Sequence, residues 1–309
     1  MHILDDTVLA GLGLDAFDFI DAVSAALVAH HRNDLIVLPK RMQTIAGAYA
    51  MDTQGMWSSR DMALFHNLVG QDSAGYRSAQ VLFRSSDSGT LCFIHGSTIS
   101  SVLPVAVGIV GARRFAKPRS ETLALVGAGL QGRLNLEAYA REFPLKAVRI
   151  VSRSKAKTVA LAALARDMGL EARVCDKAED TIRDADIVVS SISESFGVKP
   201  FLNVAWLKAG AYVSTVDLLR PWYCEPSASQ AFMVADDVAQ AHELIATGRV
   251  PDIVPIGCGL GESLVEGCDV PSGMPVILLQ PGCCAGVFGM VAAVLDRAQR
   301  SQGELRGAS

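Results

Sequence analysis

The sequence predicts an α/β chain in which a Rossmann-type, doubly wound parallel sheet is joined to a second, α+β domain. Three observations carry that expectation. The apolar run 123–126 leads straight into Gly127, Gly129 and Gly132, and a helix-compatible segment, 133–142, follows without a break. That is the order of a buried strand, a tight turn and a helix N-terminus. Downstream, short apolar runs alternate with helical patterns, which implies parallel pairing through right-handed crossovers. At 309 residues the chain is also longer than one ordinary domain.

In chain order, residues 16–28 place Phe17, Ile20, Val23, Ala26 and Leu27 on one helical face. Residues 35–38 form a short strand stopped by Pro39. From 44 to 75 the pattern is irregular and rich in Gly, Met and Ser, read as strands and loops. Residues 78–84 and 91–95 form a hairpin around the turn residues 85–89. A long apolar helix spans 98–115 despite Pro104 and ends in Arg113 and Arg114, cations suited to a helix C-terminus. Pro118, Arg119 and Ser120 mark the expected boundary. The domains are then 1–117, joined by a C-terminal helix from 286–309, and a Rossmann domain over 118–285. Strands are expected at 148–151, 172–175, 187–190, 211–216 and 232–235, with helices at 155–168, 178–183, 240–246 and 288–300.

Composition excludes several classes. Half of the residues are hydrophobic and only 19% are charged, with 28 basic against 32 acidic residues and a formal charge of −4. No long run of either sign points to nucleic acid or a membrane surface. The start lacks the basic and apolar regions of a signal peptide, and the apolar stretch 102–112 is shorter than the ~20 residues that cross a bilayer. The expectation is a soluble, cytoplasmic protein. Seven cysteines show no ligand spacing, so neither a disulfide nor a structural metal is expected.

The glycine pattern gives the first chemistry. Gly127 permits the turn, Gly129 lets backbone approach a pyrophosphate, and Gly132 lets the helix pack on its strand, so a dinucleotide would sit on the helix N-terminus. Leu130, Gln131, Ser191 and Ile192 complete the expected contact set. The end of the second strand separates the two nicotinamide cofactors. An acid there binds a ribose 2′-hydroxyl, but the chain reads Ser152-Arg153-Ser154. Arg153, flanked by Ser152 and Ser154, suits a 2′-phosphate. NADP(H) is favoured, with NAD(H) the alternative.

With Val126-Gly-Ala-Gly-Leu-Gln-Gly-Arg133, Ile150-Val-Ser-Arg-Ser154, Ala185-Asp-Ile-Val-Val189, Arg220-Pro221 and His95-Gly-Ser-Thr-Ile-Ser100 in view, the chain resembles the ornithine cyclodeaminase/mu-crystallin family. The resemblance runs from about 35 to 297 and is strongest over 95–190. It implies an N-terminal substrate and dimerisation domain, then a Rossmann domain, then a C-terminal helix returning to the first. Members include ornithine cyclodeaminases, alanine and other amino-acid dehydrogenases, ketimine reductases and an NADPH-binding crystallin. The implied partners are a small amino or imino acid and a second copy of the chain, paired through residues 1–115, whose sheet would otherwise leave an apolar face in water.

Carried over residue by residue, the substrate half departs from the pattern. The family's carboxylate-gripping Pro-x-Arg is matched by Pro39-Lys40-Arg41. Its lysine falls around 60–64, where no lysine stands, and its second arginine falls on Leu103. Its aspartate falls near Leu219, with Asp217 the nearest acid, and its Phe-Lys-Ser-Val-Gly becomes Leu279-Gln-Pro-Gly-Cys283. Asp217, at the C-terminal end of a parallel strand, is the catalytic candidate. His66 and His95 join Arg41 as substrate-site candidates because imidazoles titrate near neutrality. Nothing marks Cys283 or Cys284 as a nucleophile. The implied chemistry is hydride transfer at a carbon–nitrogen centre. The rival is a dinucleotide-binding protein without turnover. A carbonyl reductase built on Tyr-x-x-x-Lys is disfavoured, since no tyrosine has that partner.

Overall fold

The computed structural model describes residues 2–45, 48–57, 61–69, 77–85, 91–192, 198–225 and 231–307. Two compact units result, Met1–Val107 with Cys283–Ser309, and Gly108–Gly282.

The first unit comprises β1 (His2–Leu4), α1 (Asp6–Gly11), α2 (Ala16–His31), β2 (Leu35–Val37), β3 (Arg41–Ile45), β4 (Ala48–Trp57), β5 (Asp61–Val69), β6 (Arg77–Ser85), β7 (Leu91–Gly96) and the first part of α3 (Thr98–Phe115). The sheet runs β1-β7-β6-β5-β4-β2, with β3 also on β4, and every pair is antiparallel except β1 with β7. The stretch read as irregular therefore supplies two of the sheet's longest strands, β4 and β5. Their alternation is real but faint: Ala63 and Phe65 are buried while Met62 and Leu64 are exposed, so both faces carry apolar residues and the two-residue period is blurred. The expected hairpin turn falls largely on 86–90, outside the described residues.

The second unit continues with β8 (Thr122–Val126), α4 (Leu130–Glu142), β9 (Ala147–Val151), α5 (Lys155–Asp167), β10 (Glu171–Val174), α6 (Ala178–Ile182) and β11 (Ile187–Ser190). Then come β12 (Leu202–Asn203), β13 (Tyr212–Thr215), β14 (Trp222–Tyr223), β15 (Phe232–Ala235), α7 (Val238–Ala246), β16 (Ile256–Gly259), α8 (Leu260–Val265) and β17 (Val276–Leu279). Its main sheet is wholly parallel in the order β10-β9-β8-β11-β13-β17-β15-β16. The central strands β11, β13 and β17 are buried along their whole length, as a sheet covered on both faces requires. Strands β16 and β17 went unanticipated, and β17 inserts between β13 and β15. The last helix, α9 (Cys284–Gly307), belongs to the first unit. There Gly289 lets it meet α2, since a Cβ would stand 2.3 Å from the Ala22 carbonyl oxygen.

The units divide inside α3 rather than at Pro118, because the second half of that helix packs on Rossmann strands. Tyr212 Oη donates to the Gly108 carbonyl at 2.8 Å, and a Cβ at Gly111 would lie 2.5 Å from the same hydroxyl. By length and composition α3 is apolar enough to cross a membrane, but 61% of it is buried within the protein. One cysteine expectation is overturned. Cys258, at the end of β16, is bonded to Cys268 just beyond α8, with Cα atoms 6.7 Å apart. The short helix α8 turns the chain back on itself, a proximity that linear spacing does not reveal.

Candidate functional site

The Rossmann unit forms a cradle where its strand order reverses, between β8 and β11. Gly127 has φ +121°, and a Cβ there would lie 2.7 Å from Ser191 Oγ. At Gly132 a Cβ would sit 2.3 Å from the Gly127 carbonyl oxygen. Side chains are excluded at both positions by backbone and neighbour. Gly129 differs: nothing lies within 4 Å of its Cβ position, and as N-cap of α4 it makes no side-chain capping bond. The α4 N–H groups thus face an open space that suits an anion.

That space is a cavity of about 400 Å³ lined by Gly127, Ala128, Gly129, Ser152, Arg153, Ser154, Lys157, Ser191 and Ile192. Arg153 is exposed, and Ser154 caps α5 by accepting from Lys157 N at 3.4 Å. Two cations and a second helix N-terminus therefore stand at the end of β9. Lys157 escaped the sequence reading because it lies inside a helical pattern, one turn beyond the strand end. Leu130 lines an adjoining cavity with Arg133 and Lys157. Gln131 lines neither, and its carbonyl accepts from Asn135 Nδ2 at 2.8 Å. The open glycine, the uncapped helix and the paired cations fit a dinucleotide.

Asp217 follows β13 and is buried, 4% exposed. Its Oδ1 accepts from Ser190 Oγ at 3.0 Å and its Oδ2 from Ile192 N at 3.1 Å, while Trp222 Nε1 donates to Ser190 Oγ at 2.9 Å. Burial pushes the carboxyl up to about 6, against the opposing pull of these hydrogen bonds and the Arg220 charge. Leu218 and Leu219 follow at φ +58° and +59°, a left-handed conformation that is strained for leucine. Asp217 so ties this strained turn to the strand end from which Ser191 and Ile192 enter the cradle. Ser190 and Trp222 were not anticipated, being 27 and 5 residues away from Asp217 in sequence.

In the first unit, Arg41 and His66 line one cavity of about 390 Å³ together with Leu38, Pro39, Asp52, Thr53, Gln54, Leu64 and Phe65. Arg41 pairs with Asp52 across β3 and β4, and Asp52 with His66 across β4 and β5. His66 Nδ1 is hydrogen-bonded to Asp52 Oδ1. His95 lies in the same register row, opposite Gln80, which is opposite His66. It is two strands further on, stacks on Phe93 with centroids 5.6 Å apart, and does not line the cavity. Leu103 packs on α9, where a Cβ at Gly286 would meet its Cδ1 at 2.6 Å. Cys283 and Cys284 are buried. Among the described residues no group of His, Cys, Asp and Glu is arranged to hold a metal.

The profile of the ornithine cyclodeaminase/mu-crystallin family matches residues 64–221, just over half the chain. The chain belongs to this family. It is similar to the ketimine reductase mu-crystallin of Macropus fuliginosus, 26% identical over 195 residues, covering 63% of this chain and 57% of that protein. The chain thus spans little more than half the length of that curated relative. Among solved structures, Thermococcus litoralis Δ1-pyrroline-2-carboxylate reductase in complex with NADH and L-proline superposes with TM-score 0.80 at 14% identity, covering 98% of each chain. An archaeal alanine dehydrogenase dimer with bound NAD does so with TM-score 0.81 at 18% identity, covering 98% of this chain and 97% of that one. These likenesses establish the fold that family membership implies, a Rossmann-like parallel sheet with a second, mixed-sheet domain.

Proposed function

We propose that this member of the family is a nicotinamide-dinucleotide-dependent oxidoreductase that transfers hydride at the carbon–nitrogen centre of a small amino or imino acid. The cradle at Gly127–Gly132 carries the reading, because its open Gly129 and uncapped α4 suit a pyrophosphate. When bound, the dinucleotide supplies or accepts the hydride. Arg153, Ser154 and Lys157 favour NADP(H), since a 2′-phosphate offers charge to two cations and a helix N-terminus. Arg41 supplies the guanidinium for a substrate carboxylate. Asp217 orients Ser191 and Ile192 toward the cofactor through its bond to Ile192 N.

Titration with NADPH and NADH, followed by nicotinamide fluorescence, tests this. Tighter binding of NADPH is expected, with Arg153→Ala weakening NADPH about tenfold or more and leaving NADH within about threefold, as loss of a charge-assisted contact implies. Indifference to both nucleotides would remove the enzyme reading altogether.

A second reading, dinucleotide binding without turnover, is favoured by Leu103, which packs on α9 where the resemblance expects an arginine. Assay of the wild type with a five-membered cyclic imino acid and NADPH separates the two readings. The N-terminal sheet is proposed as a homodimer face, because Met56, Met62, Leu64 and Leu82 are exposed together on it. Light scattering coupled to size exclusion is expected to give twice the 32.7 kDa of one chain.

A further inference from the structure

Within the Rossmann unit, the ladder between β8 and β11 ends at Ser191, whose N donates to the Val126 carbonyl at 2.9 Å. The next backbone donor, Ile192 N, finds its acceptor in Asp217 Oδ2 at 3.1 Å. Ile192 is half-buried and, with Ser191, walls the cradle beside the glycine turn. The Asp217 carboxylate therefore fixes the first peptide of that wall beyond the sheet.

The other carboxylate oxygen is clamped. Trp222 is fully buried, its Nε1 donates to Ser190 Oγ, and its N donates to the Leu219 carbonyl at 2.9 Å. Ser190 Oγ has one hydrogen, which goes to Asp217 Oδ1. Both carboxylate oxygens thus face donors. A proton on Oδ2 weakens its bond to Ile192 N, and a proton on Oδ1 displaces the Ser190 hydrogen. Only the ionised form accepts both as charge-assisted bonds. Leu218 and Leu219, held left-handed beside it, leave the turn little room to adjust.

We propose that Asp217 is a positioning residue that links dinucleotide affinity to pH: its carboxylate holds Ile192 in the binding-competent cradle, and protonation relaxes that wall. The proposal rests on the dinucleotide reading of the cradle. Burial brings this carboxyl to about 6, within reach of a binding titration. Arg220, on the same turn, is the charge that acts on it, while β11 and β14 present Ser190 and Trp222, which do not titrate in this range. Among the described residues, the cradle lining adds two cations, Arg153 and Lys157, and no acid or imidazole. Because the ionised form binds more tightly, affinity rises with pH through this range and binding releases a proton.

Calorimetric titration of the full chain with NAD tests this, because NAD lacks the 2′-phosphate, a monoester that itself titrates near pH 6. Affinity for NAD is expected to rise about fivefold between about pH 5 and 7.5, the size that a one-unit shift on binding implies. At about pH 6, titration in two buffers of different ionisation enthalpy should show release of about half a proton per NAD bound. Asp217→Asn is expected to flatten the profile and release none. Ser190→Ala removes one bond to the charged form and should move the rise upward by about one pH unit, which loss of packing alone would not do. NAD affinity that is level across this range, that falls as pH rises, or that keeps the same rise in Asp217→Asn or Ser190→Ala would overturn the proton link alone. Absence of NAD binding at every pH would overturn the dinucleotide reading, and the link with it.

Discussion

In the Rossmann unit, most residues of the cradle fall in two short runs, Gly127 to Gly132 and Ser152 to Lys157, with Ser191 and Ile192 added from the end of β11. In the N-terminal sheet, Arg41, Asp52 and His66 come from three strands and meet only through antiparallel register. One site is written as a motif and the other as a pairing. A motif constrains backbone, where a single atom of side chain is intolerable, so divergence leaves it legible. A row across strands constrains only which face a residue occupies, and its members can be exchanged for others of different charge. That is how a chain 24–33% identical to its curated relatives keeps the glycine turn legible.

The largest expected effect lies in the motif. Gly132→Val places side-chain atoms against the Gly127 carbonyl, from which even a Cβ would be 2.3 Å away. Nucleotide binding should be lost, by about 100-fold or more in a fluorescence titration, equivalent to roughly 3 kcal/mol. Gly129→Ala should sharpen the contrast, since its Cβ meets nothing within 4 Å. Melting temperature should hold while nucleotide affinity falls about tenfold, because only the bound pyrophosphate competes for that space. Retained affinity in Gly132→Val would show that the turn does not set the site.

Asp217 probes the part of the Rossmann unit that is not local. Its carboxyl sits near 6 in the folded chain against an ordinary 3.8, so the folded state holds this proton more tightly than the unfolded chain. Between about pH 4 and 6 the folded state therefore binds more protons, and stability must fall as pH rises through that window. The full penalty, on the order of 3 kcal/mol, is reached above pH 6. Thermal melts are expected to show this fall for the wild type and a flatter profile for Asp217→Asn. Identical profiles would mean the carboxyl titrates normally.

A smaller effect should separate the units. Gly289→Val forces α9 away from the Ala22 carbonyl of α2 and should cost about 1–3 kcal/mol by overpacking. Because that contact belongs to the first unit, NADPH affinity should stay within about threefold. A parallel loss of nucleotide binding would show that the cradle depends on the N-terminal sheet.

Some of this was legible from residues alone. The apolar run into Gly127, the βα alternation and the helix Thr98–Phe115 are local patterns, and the structure realises them as β8, the parallel sheet and α3. Arg41 and His66 were legible as isolated candidates, although not as neighbours. The strands β4 and β5 were blurred because Met56, Met62 and Leu64 put apolar side chains on the exposed face as well. Strand β17 was hidden because its place between β13 and β15 depends on sheet order.

What the sequence determined by itself is what backbone sterics and short-range periodicity impose: a glycine turn, a helix start, a cationic strand end and a parallel sheet. Tertiary structure alone decided that Asp52 reaches His66, that Ser190 and Trp222 support Asp217, and that Cys258 meets Cys268. The physical reason is one of range. Strand register and the return of short helices bring together groups whose separation along the chain carries no signal, and only the packed fold fixes which of them touch.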